Sequence, residues 1–249
     1  MIGRTRWRFR SVTSTQDIAF QLASMGARSG TVVRADYQSA GRGRLGRTWE
    51  VPADTALTFS ILLRPDVPLH QLGSLSIETA HALCTVLIAA GARNVALKWP
   101  NDVLVDGRKV SGILLQTRSM PDAVAVIGIG VNVNTPLESL PATATSLAAV
   151  LDHAIDPADM LDQIITVLDS MWTTWRPIIS RNRIAELDQK LWLNGRQATL
   201  LDADREIAGT ILGVAPDGAL RMLVDDREIS VHAGEITRGP RPTDVEMLP

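Results

Sequence analysis

The chain has almost nothing with which to bind itself covalently or hold a metal. Among 249 residues there is one cysteine, Cys84. No disulfide can form within the chain, and no Cys or His spacing matches a metal-ligand pattern. Cys84 lies in the apolar run HALCTVLIAA and reads as a small buried hydrophobe. Long hydrophobic runs are missing too, since no apolar stretch approaches the roughly 20 residues of a membrane span. The opening MIGRTRWRFR is basic but carries no apolar segment, so it does not read as a secretory signal. These absences predict a cytoplasmic protein with no membrane partner. A strong charge of one sign is also lacking. The formal net charge is −2, which argues against DNA or other free nucleic acid as the main partner, because phosphate binding needs a basic face. What is present is ordinary globular material: 45% apolar and 21% charged residues, enough for a core and too apolar for disorder. The length suits one large domain, or a medium domain with a small one.

Hydrophobic periodicity divides the chain. Trp7 and Phe9 alternate with Arg6, Arg8 and Arg10, the pattern of an edge strand. Ser14 with Asp17 three residues later resembles a capping box, and Ile18, Leu22 and Met25 follow with helical spacing. Strands are expected over Thr31–Tyr37, Leu57–Arg64, Val95–Pro100 and Ala123–Asn134. A hairpin is expected over Asp102–Gln116, turning at Asp106-Gly107. Helices are expected over Gln71–Ala90, Ala158–Trp175 and Ile178–Leu191. After Trp192 the character changes to short β-like pieces separated by Asp/Pro/Gly turns, which suggests a small β-barrel. The tail GPRPTDVEMLP lacks periodicity and reads as mobile.

Three clusters could carry chemistry. The first is GRGRLGRTW, Gly41 to Trp49. Gly41, Gly43 and Gly46 let backbone approach a ligand. Arg42, Arg44 and Arg47 offer forked donors to carboxylate or phosphate. Without an anion such a loop should self-repel and be poorly ordered. A solvated basic turn is the plain alternative, and composition alone leaves the two at even odds. Trp49 is either a core anchor or a face for a purine or substrate. The second cluster is Lys98-Trp99-Pro100-Asn101-Asp102 with Arg108-Lys109-Val110-Ser111-Gly112. It puts two lysines and a carboxylate at the ends of one hairpin. The third is the strand over Val124 to Asn134. Alternation places Gly128, Gly130, Asn132 and Asn134 on one face. The paired glycines leave a flat trough where a ring could lie, or where a helix could cross closely.

In this order the clusters resemble the biotin protein ligases. The matching stretches are STQ (Ser14–Gln16), YQSAGRGRLGRTW (Tyr37–Trp49), KWPNDVLVDGRKVSGIL (Lys98–Leu114) and GIGVNVN (Gly128–Asn134). The resemblance implies an α/β (α+β) fold: a class II aminoacyl-tRNA synthetase-like mixed sheet with flanking helices over residues 1–190, and a small SH3-like β-barrel over 191–238, followed by the mobile tail 239–249. It implies that ATP, Mg²⁺ and biotin form biotinyl-5′-AMP. A lysine on the biotin carboxyl carrier domain of acetyl-CoA carboxylase, or a related acyl-CoA carboxylase, then attacks the adenylate.

Carried over by position, Ser14, Thr15, Gln16 and Gln38 fall where the family contacts biotin. Arg42, Gly43 and Arg44 match the biotin and adenylate loop, Lys109 the lysine that holds the biotin carboxylate and the phosphate, and Gly112, Gly128 and Gly130 the lining of the pocket. From the loop and strand patterns themselves, Gly41, Trp49 and Asn132 are expected to bind there as well. Arg42, Arg44, Lys98, Asp102 and Lys109 are the expected catalytic set, with Asp102 also the candidate metal ligand. Gln16 stands where many relatives have asparagine. Only about ten residues precede Ser14, so a ligase without a repressor role is expected. Lipoate–protein ligase is the alternative enzyme reading.

Overall fold

In a computed structural model, residues 1–119, 123–203 and 205–238 are described; the expectation for the tail 239–249 lies outside them. A seven-stranded mixed sheet dominates. Its strands are β1 (Arg6–Val12), β2 (Thr31–Gln38), β3 (Leu57–Leu63), β4 (Val95–Lys98), β5 (Asp102–Val105), β6 (Arg108–Arg118) and β7 (Val124–Val131), in the order β1-β2-β3-β7-β6-β5-β4. β1 and β2 run parallel and the remaining pairs are antiparallel. The Asp106-Gly107 turn has φ of 48° and 73°, as a two-residue hairpin requires.

Alternation along the central strands decides the two faces. Phe59, Ile61, Leu63, Ile127 and Ile129 belong to one large apolar core with Leu83 and Leu87 of helix α2 (Leu75–Ala89) and Ile164 and Leu168 of helix α4 (Pro157–Thr174). Leu62, Val124 and Val126 point to the opposite face, where Ala19, Phe20 and Ala23 of helix α1 (Thr15–Ser24) cover them. β3 is therefore buried throughout, as expected of a strand covered on both sides. Beyond Val126 the α1 face continues as Gly128 and Gly130. The trough thus lies just past the N-terminus of α1.

Helix starts were the least legible feature. α2 begins at Leu75 rather than Gln71, because residues 69–71 form a separate 3-10 turn before Gly73. Helix α5 (Arg181–Lys190) starts after Ser180, whose hydroxyl accepts from Arg183 N. Helix α3 (Leu147–Leu151) is too short for its periodicity to announce it. Ser14 does cap α1, accepting from Gln16 N. Asp17 does not complete a capping box, however, and pairs instead with Arg42.

The C-terminal segment forms β8 (Gln197–Asp202), β9 (Arg205–Val214), β10 (Leu220–Val224), β11 (Arg227–Val231) and β12 (Glu235–Arg238). These make one antiparallel sheet in the order β11-β10-β9-β8-β12. It is fastened to the larger sheet. Trp192 N donates to Leu97 O at 2.7 Å, the buried Trp99 indole donates to Gly218 O at 3.0 Å, and Val214 N donates to Asp188 of α5 at 2.8 Å. Leu200, Ile211 and Met222 join the same core as Leu97. Among the described residues no helix is long and apolar enough to cross a membrane.

Candidate active site

The three sequence clusters meet at one cavity on the α1 face of the large sheet. Its floor is the β6–β7 pair, where Gly112 lies opposite Gly130 and Leu114 opposite Gly128. Both β7 glycines are needed for close approach. A Cβ on Gly130 would lie 2.5 Å from the Trp49 ring, and one on Gly128 would lie 3.0 Å from the Gln16 amide. The ring expected over the trough is therefore the protein's own indole. Trp49 Nε1 is buried there without a hydrogen-bond partner.

One wall comes from the start of α1. Thr15 is held twice by Gln38 Oε1, from its N–H at 2.7 Å and its hydroxyl at 3.1 Å. The hydroxyl also meets Ser60 Oγ at 2.8 Å. Gln16 Nε2 donates to Leu114 O at 2.8 Å. These bonds fix three polar side chains in a buried place and leave the Gln38 amide nitrogen beside Gly41.

The arginine loop is not an open chain. It folds as a small hairpin in which Arg42 pairs with Thr48, Trp49 N donates to Gly41 O at 2.9 Å and Gly43 N donates to Arg47 O at 2.7 Å. Leu45 and Gly46, with φ of 55° and 73°, make the tip, again in the conformation that suits a tight hairpin. Self-repulsion is offset because each guanidinium finds its own acceptor. Arg42 pairs with Asp17 on α1. Arg44 reaches inward to Asn101 Oδ1 at 3.2 Å and Gly234 O at 3.3 Å. Arg47 forms a fork with Glu235 at 2.9 and 2.5 Å. Gly41 closes the base of the hairpin, where a Cβ would lie 2.3 Å from Trp49 O. It does so away from the cavity wall.

The opposite wall carries the lysines. Lys109 Nζ lies 2.7 Å from Asp102 Oδ1 and 5.9 Å from the centre of the Trp49 ring. Lys98 Nζ lies 5.7 Å from the Trp192 ring and 4.0 Å from Glu235. Burial pushes the Lys98 ammonium below its ordinary range, against the attraction of Asp102 and Glu235. Burial likewise lowers Arg44, opposed by the same two carboxylates. The Arg47 fork holds Glu235 below the usual carboxylate range, against the effect of burial. The cavity is thus rich in cations that are only partly neutralised, the environment an anion needs.

Most expected residues are on this cavity: Ser14, Thr15, Gln16, Gln38, Arg42, Gly43, Arg44, Trp49, Lys98, Asp102, Lys109, Gly112, Gly128 and Gly130. Asn132 is not. β7 ends at Val131, so alternation stops, and Asn132 is buried with its Nδ2 on Thr145 O at 3.1 Å. Asp102 is committed to Lys109, and Glu235, the other carboxylate on the cavity, to Arg47. Among the described residues no group of three or more His, Cys, Asp or Glu could hold a metal. An ion in this site would rest chiefly on ligand oxygens, as Mg²⁺ often does with phosphates. Sequence reading placed Asn101 in the second cluster without a role, and missed Glu235. Nothing near Glu235 in the chain marks it, because it reaches the site only when the second sheet docks.

The model of the biotin/lipoate A/B protein ligase family matches residues 8–134. The biotin–[acetyl-CoA-carboxylase] ligase of Paracoccus denitrificans is 32% identical, covering 83% of this chain and 89% of that protein. The bifunctional ligase/repressor BirA of Bacillus spizizenii is 36% identical over 65% of this chain, and the match spans about half of its length (51%). Among solved structures, the biotin protein ligase from Aquifex aeolicus in complex with biotin and ATP superposes with a TM-score of 0.81 at 26% identity, covering 95% of this chain and 100% of that one. With a family model over half of its length and a ligase relative matched nearly end to end, the chain belongs to the biotin/lipoate A/B protein ligase family, among its biotin protein ligases.

Proposed function

We propose that the chain joins biotin to ATP and then biotinylates one lysine on the biotin carboxyl carrier domain of acetyl-CoA carboxylase or a related acyl-CoA carboxylase. The observation that carries this reading is the convergence of Arg44, Lys98 and Lys109, from three separate segments, on one cavity floored by glycines. The biotin–[acetyl-CoA-carboxylase] ligase of Paracoccus denitrificans and the Aquifex aeolicus complex with biotin and ATP support the substrates. We read the seven-stranded sheet and its helices, residues 1–190, as the class II aminoacyl-tRNA synthetase-like catalytic domain. The five-stranded sheet, within residues 191–238, is the SH3-like one.

In the first step a carboxylate oxygen of biotin attacks the α-phosphorus of ATP and pyrophosphate leaves. Two anions must meet, which Coulomb repulsion opposes in a dry site. Lys109 and Arg44 hold the carboxylate and phosphate together, and Lys98 faces the departing charge. Mg²⁺ bound with ATP would supply further neutralisation of the phosphate charge, with Asp102 the side chain placed to help hold it. Thr15 and Gln38, locked to each other, and Gln16, held by Leu114 O, present polar groups to the biotin ring system. The Gly41–Trp49 hairpin keeps water from the mixed anhydride. In the second step the acceptor lysine, protonated at neutral pH with an ordinary pKa near 10.4, first gives a proton to solvent. Its neutral amine attacks the acyl carbon, AMP leaves, and the amide nitrogen sheds its second proton to solvent. As Lys109 turns to the phosphate, Asp102 is free to orient that amine.

The test is exchange of labelled pyrophosphate into ATP with biotin or with lipoate. Exchange that depends on biotin alone is expected. Exchange with lipoate alone would make the chain a lipoate ligase, and exchange with neither would overturn both enzyme readings.

A further inference from the structure

The three arginines of the hairpin do not do the same thing. Arg44 points toward the cavity floor, where Asn101 and the carbonyl of Gly234 receive it. Arg42 and Arg47 lie on the flanks and are tied outward. Arg47 is tied to Glu235 of the second sheet, and Arg42 to Asp17 on the first turn of α1. Arg42 and Asp17 are each more than a third exposed, so this pair sits at the rim of the cavity that Arg42 lines. Asp17 directly follows Gln16, whose side chain lies over Gly128. The pair therefore joins the N-terminal arm of the hairpin to the helix end that walls the trough. Among the described residues the Arg42 guanidinium makes no other hydrogen bond or ion pair.

We propose that Asp17 is a positioning residue that latches the hairpin over the bound acyl-adenylate, so that the intermediate is kept for transfer instead of being lost to water. The inference rests on the acyl-adenylate reading above. Asp17 itself touches no reacting atom. It acts by shifting the hairpin between closed and open positions. A half-exposed ion pair of this kind shifts such an equilibrium by about two- to fivefold, and salt weakens it over a screening length of about 10 Å at 0.1 M. The expected signature is a change in partition, not the collapse of turnover that loss of a charge-stabilising donor causes.

The full chain is incubated with biotin and ATP, and free biotinyl-AMP in the medium is measured against exchange of labelled pyrophosphate. In Asp17→Asn the released fraction should rise about two- to fivefold while the exchange rate stays within threefold. Asp17→Glu, which keeps the charge, should release like the parent. Rising salt should increase release more steeply in the parent than in Asp17→Asn, whose hairpin keeps only the Arg47–Glu235 pair. An unchanged released fraction in Asp17→Asn, or equal salt dependence in parent and variant, would overturn the latch while leaving the ligase reading intact. If Asp17→Glu leaked as much as Asp17→Asn, the charge would not matter and the proposal would fail. A parent chain without biotin-dependent exchange would remove both the ligase reading and the latch.

Discussion

Lys109 has its carboxylate partner already, Asp102 at 2.7 Å. A ligand anion must compete for that ammonium, and removing it leaves Asp102 facing the trough unpaired. Lys109→Ala should lower biotin-dependent pyrophosphate exchange by about 10²–10³, the usual cost of losing one charge-stabilising donor. Its thermal midpoint, measured in parallel, separates this from unfolding. Gly130 is a second residue whose side chain, or lack of one, decides the site. An added methyl would sit 2.5 Å from the Trp49 ring, and backbone on a central strand cannot retreat. Gly130→Ala should cost about 1–3 kcal/mol of stability from overpacking and weaken biotin binding, read by urea unfolding and calorimetric titration. At this scale the sequence was informative where a residue type is forced. Glycine, lysine and arginine at fixed spacings named the cavity before any coordinates. Asn132 misled because alternation was extended past the end of its strand, and only tertiary packing sets that end.

Elements that meet in a tight turn were legible, whereas helix starts, even capped ones, and segments shaped by distant contacts were not. Asp156 caps α4, its Oδ1 accepting from Ala158 N at 2.6 Å with Pro157 following. Asp156→Ala should lower stability by about 1 kcal/mol without changing exchange activity, because α4 packs on the face of the sheet opposite the trough. Chemical denaturation together with the exchange assay checks both halves. The arginine hairpin is the opposite case. Its glycines and like charges read as an open basic loop, yet the folded form depends on Asp17, Asn101 and Glu235. These come from three other elements, and no local window contains them.

For the molecule as a whole, the change of pattern after Trp192 correctly announced a second β unit, but nothing in the chain showed that it would complete the cavity. Its docking runs through Leu97, Trp99 and α5, and α5 also borders α2. There His81 is held by burial and by nearby Arg183 well below its ordinary value, at about 4. The unfolded chain, with an ordinary histidine near 6.5, binds the extra proton first as pH falls. This contribution is fully present above pH 6.5 and is lost progressively as pH drops toward 4. Urea midpoints should decline over that window, and the decline should be shallower in His81→Gln.

The Trp49 indole lying in the glycine trough gives the protein a built-in optical reporter. An indole whose N–H is buried and unbonded has an emission that responds to whatever shares its surroundings. An occupant that shifts the ring, or supplies an acceptor to that N–H, changes the share of the emission that this one of the chain's six tryptophans contributes. The filling of the trough can therefore be followed in real time by ultraviolet emission, with no label attached, and Trp49→Phe gives the signal of the other five to subtract.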